Sequence, residues 1–246
     1  MFTPSEREEL RRALIAEAQN DERITGIAIT GSAAADRLDE WSDIDLAFGI
    51  RDGVALQDVL DDFTERMRRD HGAVDTVDVT AGAWIYRVFL LANTLQVDLA
   101  FAPRSEFGAR AATFRLVHGE AAQLPLPAAP KTRTLIGFAW LYALHARSSI
   151  ARGRLWQAEY MLSHVREQIV ALACLRHGLP HAEGRGVDRL PDALKRDLEA
   201  TLVARLGPDE LRRAFGASVA LLLREIENTD AALAHHLRRV ITELVA

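Results

Sequence analysis

Hydrophobic and polar residues repeat with two different periods along the chain, and the change of period divides the sequence into two parts. In the first part, short segments alternate with a period of two, which is typical of strands that bury one face. Apolar residues at helical spacing predict helices over 4–20 and 54–72, the second one ended by Gly72. Strands are predicted over 24–30, 42–50, 73–80, 83–93 and 95–103, and we expect the last of them to close a small mixed sheet.

Beyond residue 130 the pattern changes to long apolar-periodic segments. They predict helices over 131–152, 155–177, 190–206, 208–227 and 229–245. Between the two parts, LPLPAAP at 124–130 carries three of the eight prolines and resists regular structure, so it is a natural linker. The sequence therefore predicts an α+β protein. Its N-terminal α/β domain, residues 1–123, contains the small mixed sheet, and a C-terminal all-helical bundle domain follows over 131–246.

The composition and net charge argue against several classes of function. Hydrophobic residues make up 49% of the chain and charged residues 26%, as is ordinary for a globular protein, and the net charge of −5 argues against binding long nucleic acid or an anionic membrane. No apolar run approaches transmembrane length and no signal-peptide core is present, so we expect a cytoplasmic location and no membrane partner. Cys174 is the single cysteine, which excludes an intrachain disulfide and a cysteine-based metal cluster.

Three aspartates occupy polar faces of predicted strands. Asp43 and Asp45 share one face of the strand at 42–50, and Asp98 lies on the polar face of the strand at 95–103. Carboxylates held side by side repel each other, and a fold tolerates that mainly when a cation lies between them. Mg²⁺ prefers carboxylate oxygens, so these three residues are candidate metal ligands. The alternative is a set of acidic residues on a solvated sheet face.

A glycine and a serine lie in the turn between the strand at 24–30 and the short helix that follows. Gly31 allows close approach of the backbone to a ligand, and Ser32 offers a hydroxyl donor beside the start of a helix, where an anion is favoured. Gly-Ser alone occurs in many turns. Its spacing adds weight, since ten residues separate Ser32 from Asp43 and give the pattern G-S-x10-D-x-D.

With this spacing, residues 24–101 resemble the DNA polymerase β-like nucleotidyltransferase superfamily. An α/β domain followed by a helical bundle is similar to the bacterial antibiotic nucleotidyltransferases that modify aminoglycosides and lincosamides. The resemblance implies that Asp43 and Asp45 bind two Mg²⁺ ions, that Asp98 completes the metal site, and that Gly31 and Ser32 hold the β- and γ-phosphates of a nucleoside triphosphate.

The same resemblance implies a reaction. A nucleoside monophosphate, with ATP as the expected donor, is transferred to a hydroxyl of a small-molecule acceptor, and pyrophosphate is released. An antibiotic is one candidate acceptor, and a homodimer is compatible with such enzymes. The helical domain is expected to contribute to the cleft that holds substrate and nucleotide.

Further candidates come from the basic residues and from the helix at 155–177. Antibiotic enzymes often carry Arg and Gly after Gly-Ser, whereas this chain has three alanines there and its first base is Arg37. Arg37, Ser42 and Lys131 are therefore our nucleotide-binding candidates. Glu159, in the segment RGRLWQAEYML, is the candidate catalytic base for the acceptor hydroxyl, the alternative being a surface glutamate paired on its own helix.

Two other functions fit the same residues. One is a protein AMP-transferase of the toxin–antitoxin type, which would modify a side-chain hydroxyl. The long helical domain counts against it, because those minimal proteins are shorter. The other is a non-catalytic nucleotide-sensing module, against which the three aspartates count, because a sensor has no need of a two-metal site.

Overall fold

The computed structural model describes residues 1–245 and divides the chain into two compact units, Met1–Ala128 and Ala129–Ala246. The first unit is a mixed α/β fold around a six-stranded sheet, and the second is helical. This is the α+β class that the sequence predicts. Within the described part of the chain, no helix is long and apolar enough to cross a membrane.

The first unit contains three α-helices and six strands. Helix α1 begins with a capping box, in which the backbone N–H of Glu6 donates to Oγ1 of Thr3 and that of Thr3 to Oε2 of Glu6. The bounds are α1 Pro4–Gln19, β1 Ile24–Thr30, α2 Gly31–Ala34, β2 Ile44–Ile50, α3 Leu56–Asp70, β3 Ala73–Ala81, β4 Trp84–Leu91, β5 Gln96–Pro103 and β6 Phe114–Gly119.

The sheet has the strand order β3-β4-β5-β2-β1-β6. Strands β2 and β5 pair in parallel at the centre, and every other neighbouring pair is antiparallel. Strand β6, at the edge beside β1, was not predicted from the sequence, so the expectation that 95–103 closes the sheet was wrong. Five of the six residues of β6 are exposed, so no buried alternation marks the strand, and its hydrogen bonds to β1 define it.

One face of the sheet is covered by α1 and α3. Apolar side chains of β1, β2 and β5 alternate toward these helices, as the period-two pattern predicts. At the centre of this core, Phe48 of β2, Phe63 of α3 and Phe101 of β5 form a cluster whose ring centroids are 5.2–5.5 Å apart. This packing fixes the two central strands, β2 and β5, against α3 on the covered face of the sheet.

The opposite face carries a smaller apolar cluster in which small residues make room for one large ring. Phe107, in the chain segment after β5, is fully buried. A Cβ atom built on Gly26 or Gly49 would lie 2.4 or 2.8 Å from the Phe107 ring, so both strands need glycine at these positions.

Over its described residues, 129–245, the second unit contains five α-helices: α4 Thr132–Ala151, α5 Leu155–Arg176, α6 Asp192–Ala200, α7 Pro208–Thr229 and α8 Ala231–Thr242. Helix α6 is shorter than the predicted 190–206, and the other four begin and end within a few residues of the predictions. Their apolar faces share one core. At the edge of this core, the exposed Arg176 of α5 forms a bidentate ion pair, at 2.9 Å, with the fully buried Glu225 of α7.

Candidate metal and phosphate site

The parallel pairing of β2 with β5 brings the three aspartates together. Asp45 of β2 and Asp98 of β5 are directly opposite each other in the register, and Asp43 immediately precedes β2. One carboxylate oxygen from each of the three residues lies within 4.8 Å of the others. The side chains are half-buried on the sheet face that α1 and α3 leave open. This geometry can hold divalent cations, since three oxygen ligands converge on one small volume.

Like charges at this distance have an electrostatic cost. Burial raises the pKa of the Asp98 carboxyl, and the neighbouring charge of Asp43 raises it further. Gln96 opposes the shift, because its Nε2 donates to Oδ1 of Asp98 at 3.1 Å, and it also lies 3.4 Å from Oδ2 of Asp43. The site therefore favours an added cation, which removes the repulsion.

Gln96 is a residue that sequence reasoning missed. It lies two positions before Asp98 on the same face of β5, so the period of the strand places it beside the carboxylates. That period was a usable signal, but an amide beside two acids has no distinctive pattern in a sequence. Its contact with both Asp43 and Asp98 makes it a residue that orients the two side chains.

Gly31 is required by the site itself. It has a φ of +60°, in the left-handed region that favours glycine. A Cβ atom at this position would lie 1.8 Å from Oδ2 of Asp45. The backbone thus contacts the carboxylate directly, and a side chain cannot be added without moving it.

Ser32 follows with its hydroxyl oxygen buried. Among residues 1–245, Ser32 Oγ has no hydrogen-bond partner. A buried hydroxyl without a partner is costly, and a ligand that accepts its hydrogen bond removes that cost. Gly31 and Ser32 therefore combine a close backbone approach to Asp45 with a free donor.

The loop that connects α2 to Asp43 is fixed by Arg7, another residue missed by sequence reasoning. Arg7 belongs to α1 and is 6% exposed. Its Nη1 donates to the carbonyl oxygens of Asp39, at 2.6 Å, and of Ser42, at 2.9 Å. In a helix rich in charged residues nothing in the sequence distinguishes this arginine from a solvated one. Its role is to hold the chain that leads into Asp43.

The nucleotide-binding candidates Ser42 and Arg37 have different surroundings. Ser42 Oγ donates to Oδ1 of Asp39 at 2.9 Å and accepts from the backbone N–H of Asp39 at 3.0 Å, so its hydroxyl serves the loop. Arg37 is exposed, and its backbone N–H donates to the carbonyl of Ser32. Its side chain is accessible next to the turn that contains Gly31 and Ser32.

Arg115, on the unpredicted strand β6, supports the same turn. Its Nη2 donates to the carbonyl of Ala33, and its Nη1 pairs with Asp36 at 3.0 Å. The edge strand thus fixes the end of α2. Because β6 has no clear sequence pattern, this contribution was invisible before the fold was known.

Lys131 and Glu159 belong to the second unit. Lys131 is the exposed residue before α4, and Glu159 lies half-buried in the first turns of α5. Glu159 is close enough to Arg166 to influence it, since its charge opposes the lowering of the Arg166 pKa that burial causes. Their roles toward the three aspartates stay predictions.

Comparison with known proteins adds one structural likeness. No protein-family model matches the chain, and no curated protein matches its sequence. Among solved structures, an aminoglycoside 6-adenyltransferase from Bacillus subtilis is similar over 97% of this chain and 98% of its own, with 14% sequence identity and a TM-score of 0.42. A likeness at this level carries no argument about function.

Proposed function

We propose that this protein is a metal-dependent nucleotidyltransferase that transfers a nucleoside monophosphate, AMP from ATP in our preferred assignment, to the hydroxyl of a small molecule. The observation that carries the proposal is the convergence of Asp43, Asp45 and Asp98 within 4.8 Å, with Gly31 against Asp45. An acidic cluster alone is common. The adjoining buried Ser32 hydroxyl, which lacks a partner among residues 1–245, adds a donor suited to a phosphate oxygen.

The donor set fits Mg²⁺, which takes carboxylate oxygens and fills its remaining positions with water and substrate phosphates. In this proposal Asp43 and Asp45 hold two ions and Asp98 completes the site. When bound, the ions neutralise the triphosphate and stabilise the attacking and leaving oxygens of an in-line displacement.

The protein's own residues position the reactants. Gly31 keeps the backbone close to Asp45, Ser32 donates its hydroxyl hydrogen to a phosphate oxygen, and Arg37 and Lys131 supply positive charge to the triphosphate. The acceptor oxygen forms a bond to the α-phosphorus, while the bond from that phosphorus to the oxygen that bridges the α- and β-phosphates breaks. Pyrophosphate leaves, and Glu159 takes the proton of the acceptor hydroxyl. Positioning and charge stabilisation supply most of the catalysis in such transfers.

The test is to incubate the protein with labelled ATP and Mg²⁺ against a panel of aminoglycosides, lincosamides and candidate proteins, following pyrophosphate release and the fate of the label. Asp43→Asn and Asp45→Asn are expected to abolish transfer. The matched control is Asp52→Asn, at an exposed aspartate in the loop after β2, which keeps full activity.

Asp98→Ala separates transfer from nucleotide sensing. We expect it to bind MgATP within about tenfold of the wild type, a change below about 1.4 kcal/mol. Transfer is expected to be at least about a hundredfold slower, which corresponds to about 2.7 kcal/mol of transition-state stabilisation. Tight MgATP binding with no transfer to any acceptor identifies a sensor, and label on a protein side chain identifies a protein AMP-transferase.

A further inference from the structure

A cavity of about 160 Å³ lies on the same sheet face as the three aspartates, entirely within the first unit. We call it the sheet-face cavity. Its floor includes Ala47 of β2 and Ala100 of β5, the rings of Trp84 and Tyr86 line it from β4, and Phe114 lines it from β6. Arg110, in the segment between β5 and β6, also contributes to its lining.

The floor of the cavity continues directly from the carboxylates. Ala47 and Ala100 each lie two positions after an aspartate, Asp45 and Asp98, and therefore on the same face of the sheet. At a rise of about 3.3 Å per residue, the floor is about 7 Å from the aspartate positions along the strands. A group seated in the cavity can therefore carry a hydroxyl to the carboxylates across two or three bonds.

The size and lining of the cavity suit one planar ring. Its volume is close to the roughly 150 Å³ of an engineered protein cavity that binds benzene. The rings of Trp84 and Tyr86 are stacked at 5.7 Å with an interplanar angle of 20°, so they offer flat apolar surfaces. The two alanines leave the floor free of side chains that could fill this space.

Arg110 defines the polar character of the occupant. Its guanidinium lies 5.7 Å from the Trp84 ring, and its Nη2 pairs with Glu106 at 2.7 Å. Its Nε is buried without a hydrogen-bond partner among residues 1–245. A ligand with a carbonyl or ring-nitrogen acceptor can satisfy this donor, whereas a polycationic ligand would have to place charged groups against the apolar wall of the cavity.

The strand register indicates that the cavity serves the acceptor rather than the nucleobase. Strand β1 runs antiparallel to β2 and pairs Ala28 with Ala47, so Gly31 and Ser32 continue past Asp45 in the direction away from Ala47. A triphosphate bound at Gly31 and Ser32 therefore lies on one side of the aspartates, and the cavity lies on the other. In-line displacement requires the attacking oxygen opposite the leaving pyrophosphate, which is the cavity side.

We propose that the sheet-face cavity binds a single uncharged planar ring of the acceptor, with a hydrogen-bond acceptor directed to Arg110 and a hydroxyl directed to the aspartates. This inference rests on the proposed function and assigns its substrate class. It places the recognised ring on the first unit, not on the helices, and it disfavours polycationic aminoglycosides as acceptors.

The test measures binding of a defined probe to the full-length protein without metal or nucleotide. The probe is 4-(hydroxymethyl)benzamide, which combines one ring, a carbonyl acceptor and a hydroxyl, and binding is followed by ligand-observed NMR. We expect 4-methylbenzyl alcohol, which lacks the carbonyl, to bind about tenfold more weakly, because it leaves Arg110 without its partner.

Three variants complete the design. Ala100→Leu fills the cavity and is expected to weaken probe binding more than about tenfold. Arg110→Met removes the guanidinium but keeps an apolar stem, and about a tenfold loss is expected. The matched control is Arg104→Met, in the same chain segment. Arg104 pairs with Glu120 at a distance of 2.9 Å and does not line the cavity. We therefore expect its replacement to leave probe affinity unchanged.

Binding of MgATP, measured separately, distinguishes failure of this inference from failure of the proposed function. All three variants are expected to bind MgATP as the wild type does. Equal probe binding by the wild type and Arg110→Met overturns the inference even if Ala100→Leu fails to fold. Competition between ATP and the probe also overturns it, since the cavity would then hold the nucleobase. If the wild-type protein does not bind MgATP, the proposed function itself is refuted.

Discussion

Replacement of Gly31 by alanine tests the contact between the turn that carries Gly31 and Ser32 and the carboxylate of Asp45, a proposed metal ligand. At a φ of +60°, alanine costs about 1 kcal/mol of backbone strain. The added Cβ would also lie 1.8 Å from Oδ2 of Asp45, where real Cβ contacts are not shorter than 3.0 Å, so the carboxylate must move by more than 1 Å. A displacement of that size disturbs the convergence of the three carboxylate oxygens.

The matched control is Gly53→Ala. Gly53 also has a positive φ, +82°, but a Cβ atom there meets nothing within 4 Å. Both variants are therefore expected to lose about 1 kcal/mol of unfolding free energy in urea denaturation. Gly31→Ala alone should lose additional stability and at least about tenfold in Mg²⁺-dependent ATP affinity, measured by calorimetry. If the two variants behave alike in both measurements, the contact of Gly31 with Asp45 does not organise the site.

Three further predictions follow from buried charge. The first concerns Asp98, whose pKa is higher in the folded protein than in the unfolded chain, so the unfolded chain releases this proton first as pH rises. In chelator-treated protein, the stability that the protonated Asp98 contributes at low pH is therefore lost as pH rises above about 4. Urea titrations at pH 4 and 7 should show a weaker pH dependence of stability for Asp98→Asn than for the wild type, and an unchanged dependence contradicts the assignment. Arg7→Met should destabilise the first unit by about 1.5–3 kcal/mol, because the hydrogen bonds to the carbonyl groups of Asp39 and Ser42 are lost. Arg12→Met, at an exposed position of the same helix, is the control. Equal melting temperatures of the two variants would show that the loop does not need Arg7. Arg176→Met should lower the free energy of unfolding by about 3–5 kcal/mol, because Glu225 stays buried without its partner. The double variant Arg176→Met/Glu225→Leu should recover most of this loss. A double variant that is no more stable than Arg176→Met refutes the reasoning.

The sequence predicted the features that a local period or spacing can encode. Alternation in β2 and β5 identified the faces of Asp45 and Asp98, and the Gly-Ser turn followed from its position between a strand and a helix. What the sequence did not reveal depends on tertiary contacts. Strand β6 is exposed and exists through its pairing with β1, and the guanidinium of Arg7 gains its role only when α1 packs beside the loop at 36–42.

The same limit applies to the sheet-face cavity. Alanine at positions 47 and 100 is unremarkable in a strand, and the space above the two residues becomes visible only when Trp84, Tyr86 and Arg110 are placed around it. A local pattern indicates which face a residue occupies. It does not indicate that the face is left unfilled.

The pairing of Asp45 with Asp98 has a consequence for the order of events in folding. The two residues are 53 positions apart, and the hairpin of β3 and β4 lies between them, so β2 and β5 meet only after a long chain segment has been closed. Pairings of this kind are slow, because the entropy of loop closure is lost before the contacts form. The three carboxylates converge only at that step. Partly folded chains that have formed the β3–β4 hairpin alone thus have no cluster to offer a cation, and the metal uptake that we propose would report the completed assembly of the sheet.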